Sequence, residues 1–158
     1  PEIEYFEPAK IQVEYDTWEE QHNPQLTGIC RVAEGGKSMR EQLDETGKIV
    51  THGILFDYDS DVIKAESYKT LAEIGKLMSD DPDLRLSIEG HTDGDGETSY
   101  NQALSERRAA STKAYLVDKY QIEVSRLEAK GFGEDKPIDV NTTPEGKANN
   151  RRVELVKL

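Results

Sequence analysis

A chain of 158 residues can bury one sizeable core and carry a modest extension beside it. Charged residues make up 33% and hydrophobic ones 35%, the balance of a globular protein with a heavily solvated surface. A net charge of −12 makes phosphate backbones and anionic lipid poor partners, and no apolar run approaches the roughly 18 residues that a helix needs to cross a bilayer.

The opening Pro1-Glu2-Ile3-Glu4 shows no signal peptide and reads as a mature fragment, so membrane association is expected only through parts upstream of it. Ile3, Tyr5, Ile11, Val13 and Tyr15 alternate with polar neighbours and predict one or two short strands. Asn23-Pro24 and Gly35-Gly36 break the chain. The single cysteine, Cys30, rules out an intrachain disulfide and a multi-cysteine zinc site. Ser38 to Thr46 predicts a short helix, with Ser38 as N-cap, Glu41 completing a capping box and Gly47 past the end. Residues 1–48 therefore read as the tail of a preceding domain or an ordered arm, and 49–158 as the main domain.

Within 49–158 the pattern is more regular. Val50 to Tyr58 is apolar and β-branched enough for a strand. Ile63, Ser67, Leu71, Ile74 and Met78 recur at helical spacing over Val62 to Ser79, and Asp81-Pro82 stops that helix. Leu84, Leu86 and Ile88 alternate with polar residues, which predicts a strand with one buried face. A turn-rich loop follows at Gly90 to Gly96, then a long helix from Glu97 to Tyr120. Leu127 to Gly131 and Arg151 to Lys157 read as two more strands. The order β-α-β-α-β plus a closing β predicts an α/β protein of the two-layer α+β kind, with two helices packed on one face of a mixed sheet.

The chemistry-bearing residues cluster at Gly90-His91-Thr92-Asp93, Tyr100-Asn101 and Leu104-Ser105-Glu106-Arg107-Arg108-Ala109. Asp93 follows a buried strand in a glycine-flanked loop. Asn101 and Arg108 lie seven residues apart on one helix and so face the same side, with Leu104 between them. A carboxylate, an amide and a guanidinium converging on one pocket would suit a zwitterion, the carboxylate taking an ammonium and the guanidinium fork a carboxylate. Taken alone, the same residues also fit a turn-forming aspartate and a solvated helix face. A catalytic reading has little to stand on. His22, His52 and His91 show no paired metal-ligand spacing, and no Gly-x-Ser-x-Gly nucleophile is present. Asp93, Asp95 and Glu97 could hold a cation only weakly.

The run Gly90-His91-Thr92-Asp93, Gly96, Tyr100-Asn101, Leu104-Ser105, Arg107-Arg108-Ala109, Gly131-Phe132-Gly133, Pro137, Asn141, Gly146 and Asn150-Arg151-Arg152-Val153-Glu154 resembles the OmpA C-terminal domain. That domain is shared with peptidoglycan-associated lipoproteins and flagellar stator proteins. The resemblance covers about Gly53 to Leu158, two-thirds of the chain. It implies non-covalent binding of the peptidoglycan stem peptide through meso-diaminopimelate, in the periplasm of a diderm bacterium, anchoring the outer membrane or an envelope complex to the wall. It implies no enzyme activity, no cofactor and no nucleic acid.

By the same resemblance Asp93 takes the diaminopimelate ammonium and Arg108 its carboxylate. Asn101 and Leu104 line the pocket, and Asp59, in Phe56-Asp57-Tyr58-Asp59, stands at its rim, with Tyr58 where the family usually has Phe. Thr92 supplies groups beside Asp93, and Arg152, or Arg151, is a further contact. Lys147 replaces a commoner arginine, and the two cysteines of some members are missing from the last loop. A periplasmic protein partner on the same face is the alternative the resemblance leaves open, and the −12 charge would favour a basic one.

Overall fold

The computed structural model describes residues 37–158. The strands expected over Ile3 to Tyr15, the breakers at Asn23-Pro24 and Gly35-Gly36, and Cys30 lie outside the described residues. A compact unit runs from Met39 to Leu158. Its elements in chain order are α1 (Met39–Thr46), β1 (Lys48–Thr51), α2 (Tyr68–Asp80), β2 (Leu86–His91), α3 (Thr98–Tyr120), β3 (Leu127–Gly133), α4 (Pro144–Asn150) and β4 (Arg152–Lys157).

The sheet order is β1-β4-β2-β3. Strands β2 and β3 are parallel, joined through α3, whereas β4 inserts antiparallel between β1 and β2. The fold is thus α+β with a mixed sheet. The central position of β4 explains why four successive residues, Arg152 to Leu155, are all buried. Ile49, Leu86, Ile88, Leu127, Val153 and Leu155 form the sheet's share of the core. Leu71, Ile74 and Met78 of α2 and Ala109 and Leu116 of α3 cover them. Each such large side chain taken out of water contributes roughly 1.5–3 kcal/mol.

Close approach of α3 to the sheet depends on two missing side chains. A Cβ at Gly90 would sit 2.7 Å from the Ser105 carbonyl oxygen, and one at Gly131 would collide with the Glu106 backbone nitrogen. The Ser105 hydroxyl then accepts from the Gly133 N–H at 2.9 Å, tying the helix to the end of β3.

Two expectations need correction. The strand expected over Val50 to Tyr58 ends at Thr51. Beyond it the chain folds back on itself. Phe56 bridges Ile63, Asp57 N–H donates to Val62 O at 2.9 Å, and Lys64 N–H donates to Leu55 O at 2.9 Å. The acidic run Asp57 to Asp61 forms the turn, as aspartates that bond locally tend to do, and Asp59 takes a left-handed φ of 55°. The buried Ser67 hydroxyl holds this excursion by bonding both backbone groups of Leu55. For the same reason regular α2 begins at Tyr68 rather than Val62, after a single 3-10 turn at Ala65–Ser67.

Helix α4 is the second correction, because no element is expected between the strands at Leu127 to Gly131 and Arg151 to Lys157. Thr143 caps it by accepting from Gly146 N–H at 3.0 Å, and Pro144 occupies the first turn. Gly146 is required there, since a Cβ would run into the Val140 carbonyl.

Candidate functional site

One end of the sheet, the start of α3, the turn at residues 57–60 and the end of α4 enclose a cavity of about 700 Å³. Six of the seven expected site residues line it: Asp59, Asp93, Asn101, Leu104, Arg108 and Arg152. Thr92 does not. Its N–H donates to Gly133 O at 2.8 Å and its hydroxyl to Asp93 O at 2.8 Å, so it fixes the loop that carries Asp93.

Asp93 leaves the C-terminal end of β2 and is nearly buried. One carboxylate oxygen accepts from Asp95 N–H at 3.0 Å; the other faces Arg151 Nη1 at 2.6 Å. The loop behind it is held from two sides. The Asn101 amide donates to Asp95 O at 2.8 Å and to Glu134 Oε1 at 2.9 Å. Asn141 Oδ1 accepts from Gly94 N–H at 3.1 Å and from Asn150 Nδ2 at 2.8 Å. Fully buried Asn150 also accepts from Ile138 and Asp139 N–H groups. Asn101, Asn141 and Asn150 are thus scaffolding that fixes where the Asp93 carboxylate points.

Arg108 reaches from α3 to the turn at residues 57–60. Its Nε donates to Ser60 O at 2.7 Å and Nη2 to Asp57 O at 3.3 Å, with the guanidinium 5.0 Å from the centre of the Phe56 ring. Burial pulls its pKa down, and the nearby Asp59 carboxylate opposes that shift. The excursion at 52–64, expected as strand only up to Tyr58, is therefore the device that orients Arg108. Leu104 adds an apolar side chain to the cavity lining.

The two final arginines differ sharply. Arg152 is buried and fully engaged, donating to Glu154 Oε2 at 2.7 Å, Asn150 O at 3.1 Å and Lys136 O at 2.9 Å. Arg151 is half exposed, and its guanidinium meets only Asp93 among the described residues. The cavity also takes in Tyr58 and Tyr100, beside expected site residues, and His52 and Ala148, which the sequence did not point to. Glu134 was missed as well; it binds Asn101 and Thr98.

His91 lies on the sheet face that Ile88 does not share, stacked on Phe132 at 5.4 Å. Neither ring nitrogen has a partner, and burial, reinforced by Arg152, lowers its pKa to about 4. Glu89, His91 and Glu154 bring potential metal-binding atoms within 4.8 Å of one another. Of these, Glu154 is already neutralised by Arg152 at 2.7 Å and Lys48 at 3.2 Å, which competes with any use of it as a metal ligand.

A mixed-sheet α+β fold with carboxylates and guanidiniums lining one open cavity is a domain of a recognisable type. The OmpA family matches residues 55–151, and the chain belongs to that family. Outer membrane porin F of Pseudomonas aeruginosa is 43% identical over 101 residues, 64% of this chain but 29% of that protein. The chain thus spans about three-tenths of that relative's length. Outer-membrane lipoprotein YfiB of the same organism is 34% identical over 142 residues, covering 86% of this chain and 82% of its own. Among solved structures, the peptidoglycan-associated lipoprotein of Burkholderia pseudomallei superposes with a TM-score of 0.60 at 28% identity, over 66% of this chain and 88% of its own. The cell wall anchor of the Pseudomonas aeruginosa T6SS shares the fold at a TM-score of 0.60 and 22% identity, over 76% and 93% of the two chains.

Proposed function

We propose that this domain binds the peptide stem of peptidoglycan non-covalently and so holds an outer-membrane or envelope component to the wall from the periplasmic side. The observation that carries this reading is that a carboxylate and a guanidinium, Asp93 and Arg108, line one cavity together with Leu104. A diaminopimelate side chain ends in an ammonium and a carboxylate on one carbon, and each would find its counter-charge there. The descriptions of two fold relatives, one peptidoglycan-associated and one a cell wall anchor, support the same reading.

Each enclosed charge-assisted hydrogen bond contributes roughly 1.5–3 kcal/mol, so one stem is held moderately. Many stems in one wall supply the retention. The work assigned to these residues is binding, with no bond made or broken.

The test is co-sedimentation with purified peptidoglycan. Asp93→Asn and Arg108→Ala should each lose nearly all retention, while the Asp93 variant keeps its melting temperature. Arg108→Ala also frees the 57–60 turn and should melt slightly lower. Retention of both variants at the native level sinks the assignment.

Exposed Leu55, Tyr58 and Tyr100 at the cavity mouth favour a second use of the same face, contact with a periplasmic protein. A partner using that face should be displaced by stem peptide.

A further inference from the structure

Three arginines approach the cavity, and they are held to very different degrees. Arg152 is buried with three hydrogen bonds, and Arg108 is pinned by two backbone carbonyls and the Phe56 ring. Arg151 is half in solvent, and its one partner is the Asp93 carboxylate at 2.6 Å. The carboxylate expected to receive a ligand ammonium is therefore already occupied by a cation of this chain, and that cation is the least restrained of the three.

We propose that Arg151 is a displaceable internal counter-ion that makes Asp93 selective for ammonium groups bearing an adjacent carboxylate. This rests on the ligand reading above. An ammonium arriving at Asp93 has to push the Arg151 guanidinium aside or share the carboxylate with it. If the ligand brings only an ammonium, the site exchanges one cation for another and gains little. If the ligand brings a carboxylate on the same carbon, that anion is shared between Arg108 and the released Arg151 guanidinium, and the exchange closes without an unpaired charge.

The geometry suits this role. Arg151 is the C-terminal cap of α4, and its backbone N–H is fixed on Lys147 O at 3.1 Å. The side chain can swing while its root stays put. Lys147, one turn earlier, pairs with Asp95 at 3.3 Å and does not touch Asp93, so the two cations of α4 are separable by mutation.

The experiment titrates two synthetic tripeptide stems, one with diaminopimelate and one with lysine at the third position, into the whole chain and its variants. The lysine peptide has the ammonium without the neighbouring carboxylate. In Arg151→Gln the lysine peptide should bind up to about fivefold tighter than in the native chain, the worth of a partly exposed ion pair. The diaminopimelate peptide should not gain, so its preference over lysine shrinks. Arg151→Lys, which keeps the cation, and Lys147→Gln should both retain the native preference. Equal changes for both peptides in Arg151→Gln, or none in either, overturn the proposal. Binding of neither peptide by the native chain refutes the ligand reading itself, which the Arg151 variants alone cannot do.

Discussion

At the scale of single residues, the site depends on which polar groups are committed and which are free to act. Asp93 and Arg108 were legible in the sequence because one followed a strand and the other shared a helix face with Asn101. Their partners were not, because Ser60 O, Asp57 O and Arg151 lie more than forty residues away along the chain. His91 is buried on Phe132 with neither ring nitrogen paired, and its chemistry can be measured. Its folded-state pKa of about 4 lies below the ordinary value of 6.5, so the unfolded chain takes up the proton first as pH falls. The stability held by neutral His91 is complete above about pH 6.5 and drains away toward pH 4, a loss of roughly 2–3 kcal/mol. Replacing His91 by Phe removes two unpartnered nitrogens, keeps the stack on Phe132 and should flatten that part of the profile. Urea denaturation at pH 7 and pH 4.5 checks it. An equal acid loss in both proteins would show that another group is responsible.

At the scale of elements, periodicity located α3, β2, β3 and β4 within a few residues and the body of α2, though not its start, because each buries one face of a regular repeat. It failed over residues 52–58, where Ile54 and Phe56 are covered by a segment that folds back on Ile63 and Ser67 rather than by pairing in the sheet. It also passed over α4, seven residues rich in Asn and Gly that are poor helix formers. The Thr143-Pro144 start was the available signal. The glycines separate two kinds of constraint. Gly131→Ala would drive a methyl group into the backbone of α3, and we expect about 2–4 kcal/mol of destabilisation. Gly47→Ala meets no neighbour but keeps a φ of 79° at the end of α1, which costs about 1 kcal/mol. Thermal melts should therefore rank Gly131→Ala well below Gly47→Ala, and the reverse order would contradict the close helix–sheet packing.

At the scale of the molecule, Leu43 of α1 is buried in the same core as Ile49 and Leu155, so α1 belongs with the sheet. Sequence reading had assigned it to the preceding arm, since a short amphipathic helix does not announce what it packs against. The compact unit starting at Met39 should fold by itself. A 39–158 fragment is expected to melt in one cooperative transition and to co-sediment with peptidoglycan to the extent proposed for the whole chain. A fragment starting at Val50 would lack Leu43 and Ile49 and should melt well below it. Equal melting of the two fragments would remove α1 from the folding unit.

The sequence by itself determined the elements that repeat, the family and the two charges of the candidate site, since periodicity and residue type are local properties. Only the tertiary structure decided what those charges meet. The insertion of β4 between β1 and β2 carries Arg151 to Asp93, and the folded-back 52–64 segment presents carbonyls to Arg108. Both contacts depend on long loops closing, and nothing in the spacing along the chain encodes where a loop ends in space.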